Sequence, residues 1–355
     1  MKVAVYTIAL NEEQFVSPWY ESAKEADYLL IADTGSTDKT VELARSLGIN
    51  VVNVSVKPWR FDMARNASLA ALPADIDYCI ALDMDEVLLP GWRSHLEKAF
   101  AENTTRPRYQ YTWNWKDSER TIPGLQYGGD KIHSRFGYKW KHPVHEVLMP
   151  YGDTKETQSW VGLEIHHHAD DSKPRSQYLP LLAQAVQEDP EDDRNAFYYA
   201  RELYFYGRFQ EALEEFKRHL SLKRATWAPE RAASLRYIAK IDAENSESWL
   251  LKAVAESPGR REPLVELAQI YYAKERWEPC LESAKKAIDI KDKPLDYLCE
   301  EFAWGSVPHD LAAIAAYNLK QYDSALQFGE KAVELSQDDQ RLVTNLIYYR
   351  AAAAS

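Results

Sequence analysis

Tyr78-Cys79-Ile80-Ala81-Leu82-Asp83-Met84-Asp85-Glu86 is an apolar run that ends abruptly in carboxylates. Five consecutive uncharged residues suit a buried strand, and the acids that follow mark where the chain leaves the core. In an open, mostly parallel sheet, ligands bind at the carboxyl ends of the strands, so Asp83 and Asp85 stand where such a sheet presents its site. Asp-x-Asp alone is a weak signal, since about one or two are expected by chance in a chain of this size. Asp75-Ile76-Asp77 is indeed another. Only the first lies just past a buried strand.

Working outward, the first hundred residues alternate apolar runs with helical patterns, as βαβ units around a parallel sheet do. Strands are predicted near 2–9, 28–32, 50–56 and 78–82, and helices near 12–24, 39–47, 62–72 and 92–101. From 109 to about 168 the pattern turns aromatic-rich and partly alternating, expected to extend the sheet and cover the site. Beyond Lys173-Pro174-Arg175 the chain reads as helical and repeats a motif. The motif is Tyr204-Phe205-Tyr206-Gly207-Arg208-Phe209, then Tyr271-Tyr272-Ala273-Lys274-Glu275-Arg276-Trp277, then Tyr317-Asn318-Leu319-Lys320-Gln321-Tyr322. Phe209 and Trp277 are two periods of about 34 residues apart, and the shorter step to Tyr322 implies an inserted loop near 298–308. Two domains are therefore expected, an α/β domain over 1–172 and an all-α domain over 173–355.

Bulk properties agree with a globular chain: 355 residues, 45% hydrophobic and 28% charged. No run approaches the length of a membrane span and the N-terminus lacks a signal-peptide layout, so the expected location is the cytoplasm. Cys79, Cys280 and Cys299 have no metal-type spacing and read as core thiols. A net charge of -12 opposes a polyanionic partner, yet residues 106–142 carry eight basic side chains against three acidic ones. No P-loop, GxGxxG, GxSxG or HExxH pattern is present.

Four motifs in order resemble a family 2 glycosyltransferase: Ala9-Leu10-Asn11-Glu12-Glu13, Asp33-Thr34-Gly35-Ser36-Thr37-Asp38-Lys39-Thr40, Arg65-Asn66 heading a helix, and Leu82-Asp83-Met84-Asp85-Glu86. The ordering is similar to lipopolysaccharide core glycosyltransferases. The second half resembles degenerate tetratricopeptide repeats, a pairing similar to peptide S-glycosyltransferases and phage-encoded glycosyltransferases. The small residues Ala212 and Ala325 suit close helix packing there, whereas Pro279-Cys280 departs from the pattern. The resemblance implies a GT-A, Rossmann-like α/β domain followed by tetratricopeptide-like repeats.

It also implies roles. Asn11, Glu12, Asp33, Gly35, Arg65 and Asp83 are expected to hold the nucleotide sugar. Capping explains Asn11 and Asp33 as an alternative, and an ion pair explains Arg65. Ser36 and Thr37 are expected N-caps of the following helix. Asp85 and Asp83, as hard oxygen donors, suit Mg²⁺ or Mn²⁺, which neutralises a departing diphosphate. In Trp160-Val161-Gly162-Leu163-Glu164-Ile165-His166-His167-His168, strand alternation sends His167 into the core with Val161, Leu163 and Ile165. His168, then His166, are thus the expected histidine ligands. For the base that takes the acceptor proton, Glu146 of Trp140-Lys141-His142-Pro143-Val144-His145-Glu146 comes first, with His145 and Asp130 in reserve.

The expected activity is transfer from an NDP-sugar, UDP favoured, with the inverting outcome implied by the family. The acceptor is a saccharide, a peptide or a modified nucleic acid, including hydroxylated DNA bases in a phage setting. A different class of reading is a non-catalytic repeat scaffold carrying a degenerate transferase domain. The Tyr- and Trp-rich repeat helices suit a homodimer seam.

Overall fold

Alternation along β1 (Val3–Ala9) builds two cores at once. Val3, Val5 and Ala9 point to one side, where Val16 and Trp19 of α1 (Glu13–Ala23), Ala44 of α2 (Thr40–Ser46) and Leu96 of α4 (Trp92–Ala101) meet them. Ala4 and Tyr6 point to the other, against Leu69 of α3 (Phe61–Ala70) and against Tyr138, Trp140 and Leu148 of the hairpin β9 (Tyr138–Lys141) and β10 (Val147–Pro150). β1 lies between β2 (Tyr28–Asp33) and β4 (Tyr78–Ala81), with β3 (Asn50–Asn53) outside β2, all parallel. β8 (Ile132–Ser134) adds antiparallel to β4.

On the second side a polar relay is buried. Trp140 Nε1 donates to Tyr6 Oη (2.8 Å), which lies 3.1 Å from His133 Nε2, and His133 Nδ1 lies 2.8 Å from the Ser134 carbonyl. Burial pushes the His133 pKa down to about 3, so the ring is neutral, donating from Nδ1 and accepting at Nε2.

The aromatic-rich segment does not extend this sheet as expected, apart from β8. Apart from the hairpin β9–β10, its other strands β6 (Arg106–Thr112), β7 (Gln126–Gly129) and β11 (Gln158–His167) join β5 (Glu86–Leu88) in a second sheet of order β5-β11-β6-β7. The reason is apolar: Val161, Leu163, Ile165, Tyr109 and Tyr111 line one face, and that face joins the first core.

The computed structural model describes residues 1–169 and 178–354. They divide into two units, Met1–Glu188 and Asp189–Ser355. The boundary expected at 172/173 lies outside the described residues, and α5 (Tyr178–Glu188) belongs to the first unit. Among the described residues no helix is long and apolar enough to cross a membrane. Cys79, Cys280 and Cys299 are buried free thiols.

The second unit is all helical. Each repeated motif marks the turn of a helix pair: α6 (Asp193–Phe205) with α7 (Phe209–Ser221), α10 (Glu262–Ala273) with α11 (Trp277–Asp289), and α13 (Val307–Asn318) with α14 (Tyr322–Leu335). α8 (Ala228–Ile241) and α9 (Ser246–Glu256) form the pair between the first two, and α15 (Gln340–Ala353) closes the array. The insertion runs from the end of α11 to α13 and holds the short α12 (Glu301–Trp304). Cys280 fills the position of Ala212 and Ala325, and all three are fully buried, so the departure at Pro279-Cys280 keeps the close helix contact.

The three turns share one backbone solution. Gly207, Glu275 and Lys320 all have positive φ (72°, 53° and 60°), and the next residue's N–H reaches back to the carbonyl of Leu203, Tyr271 or Ala316 at 2.8–2.9 Å. That is the left-handed C-terminal cap, which glycine adopts without steric cost. Lys320→Gly is therefore expected to raise stability by about 0.5–1 kcal/mol, net of the extra entropy glycine gives the unfolded chain. Urea unfolding of the two proteins measures it.

Candidate functional site

The carboxylate turn after β4 is held from three sides. Leu82 donates its N–H to the Tyr6 carbonyl (3.1 Å), and its own carbonyl accepts from Trp19 Nε1 (3.0 Å). The turn itself closes reciprocally: Glu86 N–H donates to the Asp83 carbonyl (2.9 Å) and Asp83 N–H to Glu86 Oε2 (2.8 Å). Glu86 is almost fully buried, and its Oε1 also accepts from Tyr111 Oη (2.7 Å) and Lys131 Nζ (2.9 Å).

Asp83 points into an ion network. Oδ1 accepts from Arg65 Nη2 at 2.7 Å and Oδ2 from Lys131 Nζ at 2.6 Å. Arg65 Nε donates to Glu146 Oε1 at 2.5 Å, and its guanidinium lies over the Trp140 ring. Burial by itself would raise the Asp83 pKa, but Arg65 and Lys131 outweigh it and hold the carboxyl well below the usual range. Lys131 is held well above its ordinary value by Asp83 and Glu86 against the opposing effect of burial. Arg65 is buried, and its Nη1 makes no hydrogen bond to the protein. A buried guanidinium with one donor edge unused is a ready contact for an anionic ligand group.

The loops after β1 and β2 are stitched together beside it. Asn11 is left-handed (φ 55°), its N–H donates to Ser36 Oγ (2.9 Å), and its Oδ1 accepts from Thr37 N–H (2.8 Å). Glu12 N–H donates to Thr40 Oγ1 (2.7 Å). The Asp33 carboxylate accepts from the N–H groups of Gly35 and Ser36 (3.1 Å each), a turn that Gly35 permits with φ 119°. Asn11 thus bridges two loops instead of capping α1. Ser36 and Thr37 do not cap α2 either: Asp38 Oδ1 takes Thr40 N–H (2.9 Å) and Oδ2 takes Glu13 N–H (3.1 Å).

Histidine placement departs from expectation in one respect. The alternation holds, with Val161, Leu163, Ile165 and His167 buried. However, antiparallel pairing sets His167 opposite Glu86, so the buried face opens on Asp85 at this end, and His167 Nε2 lies 3.3 Å from Asp85 Oδ2. His167 Nδ1 bonds the Trp113 carbonyl (2.9 Å), and the ring stacks on Trp113 at 4.5 Å. Burial lowers the His167 pKa, but the hydrogen bond and charge of Asp85 raise it more. His166 turns to Glu164 (3.5 Å) and sits edge-on to Trp115. His168 meets Asp85 through its main-chain N–H (2.7 Å), while burial, Arg120 and His166 push its ring down to about 4.

Of the expected bases, Glu146 joins the network through Arg65, and His145 precedes it with its ring 5.5 Å from that of Tyr178. Asp130 does not join: its carboxylate is taken by Arg106 Nη2 (3.0 Å), whereas Lys131 reaches Asp83 and Glu86. Glu86, Tyr111, Lys131 and His167 were not assigned from the sequence. Glu86 had a signal, as the fourth residue of Asp-Met-Asp-Glu; Lys131 had none before β8 was paired with β4.

A divalent cation is tested by this donor set. Both Asp83 oxygens are engaged by cations, whereas the similarly part-exposed Asp85 turns Oδ2 to His167. A histidine that donates one ring N–H to a backbone carbonyl keeps the other nitrogen as a ligand, and His167 has that arrangement at Asp85. Among the described residues no three His, Cys, Asp or Glu side chains converge as a metal site. Two protein ligands with phosphates and water completing the sphere is nevertheless ordinary for Mg²⁺, so Asp85 and His167 fit.

A mixed α/β unit with carboxylates just past the carboxyl end of its parallel strand β4 is the class this geometry defines. Residues 4–149 match the family model described as glycosyl transferase family 2. The chain is 35% identical over 101 residues to an uncharacterized glycosyltransferase of Rickettsia bellii (strain RML369-C), covering 28% of this chain and 33% of that one. It is 25% identical over 167 residues to the lipopolysaccharide core biosynthesis glycosyltransferase LpsC of Rhizobium meliloti (strain 1021), covering 43% and 59%. The chain spans about a third of the length of the first curated relatives it matches. Among solved structures it is similar to YrrB, a TPR protein with an unusual peptide-binding site (TM-score 0.39, 14% identity), over 49% of this chain and 84% of that one.

Proposed function

We propose that the first unit transfers a glycosyl group from a nucleotide diphosphate sugar, UDP-linked by preference, to an acceptor nucleophile with Mn²⁺ or Mg²⁺. The observation that carries this is Arg65, clamped by Asp83 and Glu146 with Nη1 unused, where Asp83 stands two residues before Asp85 of the Asp85–His167 pair. Asp33 and the Asn11–Thr37 bridge shape the nucleotide side, with Gly35 allowing close approach and Glu12 tying its backbone to Thr40. Asp85 and His167 would hold the cation, whose charge assists the departing diphosphate. Arg65 orients the donor, and Asp83 and Glu146 keep Arg65 in place. Glu146, held on Arg65 through Oε1, presents Oε2 to the acceptor proton, with His145 beside it. Asp130, engaged by Arg106, takes no part. Inversion follows the family. The acceptor classes are a saccharide such as a lipopolysaccharide intermediate, a peptide or a modified nucleic acid; the repeats select it and join two copies. The reaction is placed in the cytoplasm.

A thermal-shift series with UDP-sugars, with and without Mn²⁺, tests the reading, because a ligand that binds the folded state raises its apparent stability. A metal-dependent shift is expected. It should persist in His168→Ala and disappear in His167→Ala; no shift with any nucleotide sugar leaves the scaffold reading standing.

A further inference from the structure

The hairpin β9–β10 has an outer face unlike the acidic chain around it. Its inner face is apolar, with Tyr138, Trp140 and Leu148 buried against Tyr6 and Leu30. On the outer face Lys139 and Lys141 alternate out of β9, and the register sets Met149 directly opposite Lys139. The ribbon continues one step further, where Tyr151 N–H donates to the Gly137 carbonyl (3.0 Å). Phe136, Met149 and Tyr151 are 60%, 42% and 48% exposed. Lys139 Nζ lies 6.0 Å from the Tyr151 ring, and at the start of the hairpin Arg135, held by the Leu72 and Pro73 carbonyls, lies 4.8 Å from the Phe136 ring. In residues 135–151 the acid is Glu146, and it is turned inward on Arg65.

We propose that this face docks the protein on an anionic phospholipid bilayer. Cations alone would suit a soluble polyanion, and apolar side chains alone a protein partner. Both interleaved on one hairpin suit the headgroup boundary, where aromatic rings and a methionine enter and lysine stems snorkel to the phosphates. A chain with a net charge of -12 is repelled by an anionic surface in most orientations, so a cationic face also selects how it lands. The loop between β9 and β10 carries His145 and Glu146, so docking through this hairpin brings that loop toward the bilayer. The docking does not depend on the proposed reaction.

Flotation of the full chain with vesicles of phosphatidylcholine, alone or mixed with phosphatidylglycerol, tests it. Binding is expected to the mixed vesicles, falling at least tenfold on pure phosphatidylcholine and at high salt. Lys139→Glu with Lys141→Glu should reduce binding about tenfold or more, and Phe136→Ser with Tyr151→Ser should weaken it while leaving heparin binding unchanged. If the charge-reversed pair fails to fold, as judged by circular dichroism, Lys139→Gln with Lys141→Gln replaces it. No binding to mixed vesicles overturns the proposal. So does binding that both double variants retain, or a loss of vesicle binding that only accompanies the break-up of a dimer seen by light scattering.

Discussion

Asp85→Asn is expected to lower glycosyl transfer by two to three orders of magnitude while leaving the fold intact. The side chain is partly exposed, and its hydrogen bond is to His167 Nε2, so an amide of the same size disturbs little packing. What it removes is an anionic ligand. Weakening a cation that neutralises a leaving diphosphate costs several kcal/mol of transition-state stabilisation, of which about 3–4 kcal/mol corresponds to that rate loss. Sugar release from a UDP-sugar, measured with Mn²⁺ and with EDTA, checks both parts. A mutant as active as the natural protein, or full activity in EDTA, would remove the metal from the mechanism.

Arg65→Met should act on stability first. Arg65 is buried and is the cation that joins Asp83 to Glu146; without it Glu146 loses this ion pair, and Asp83 is left to share Lys131 with Glu86. Removing one partner of a buried ion pair costs about 3–5 kcal/mol because the other stays buried and uncompensated. For a unit of this size that is a fall in melting temperature on the order of 10 °C. Arg65→Lys separates structure from binding. Lysine restores charge but not the planar fork, so it should recover part of the stability and little of the shift with UDP-sugar. Differential scanning calorimetry of the three proteins with and without nucleotide sugar reads both effects, and a full ligand shift in Arg65→Lys would show that the unused Nη1 has no part in binding.

Much of this protein was legible as local pattern. The four parallel strands and the first four helices fall within a few residues of where apolar period and turn residues predict them, and the aromatic motifs each mark a helix-pair turn. The alternation of Val161, Leu163, Ile165 and His167 was also correct. These features depend on neighbours within a few residues, where the pleat and the helical period act directly. The site obeyed a longer range. Lys131 reaches Asp83 because β8 pairs antiparallel with β4, and Asp130, one residue earlier, is turned away to Arg106. Likewise His167 meets Asp85 because β11 pairs with β5, which makes a buried face part of the site. The sequence by itself determined where strands end and which residues share a face. Only the tertiary structure decided which of those faces meet, because that depends on the pairing of strands dozens of residues apart, and adjacent side chains on a strand point to opposite sides.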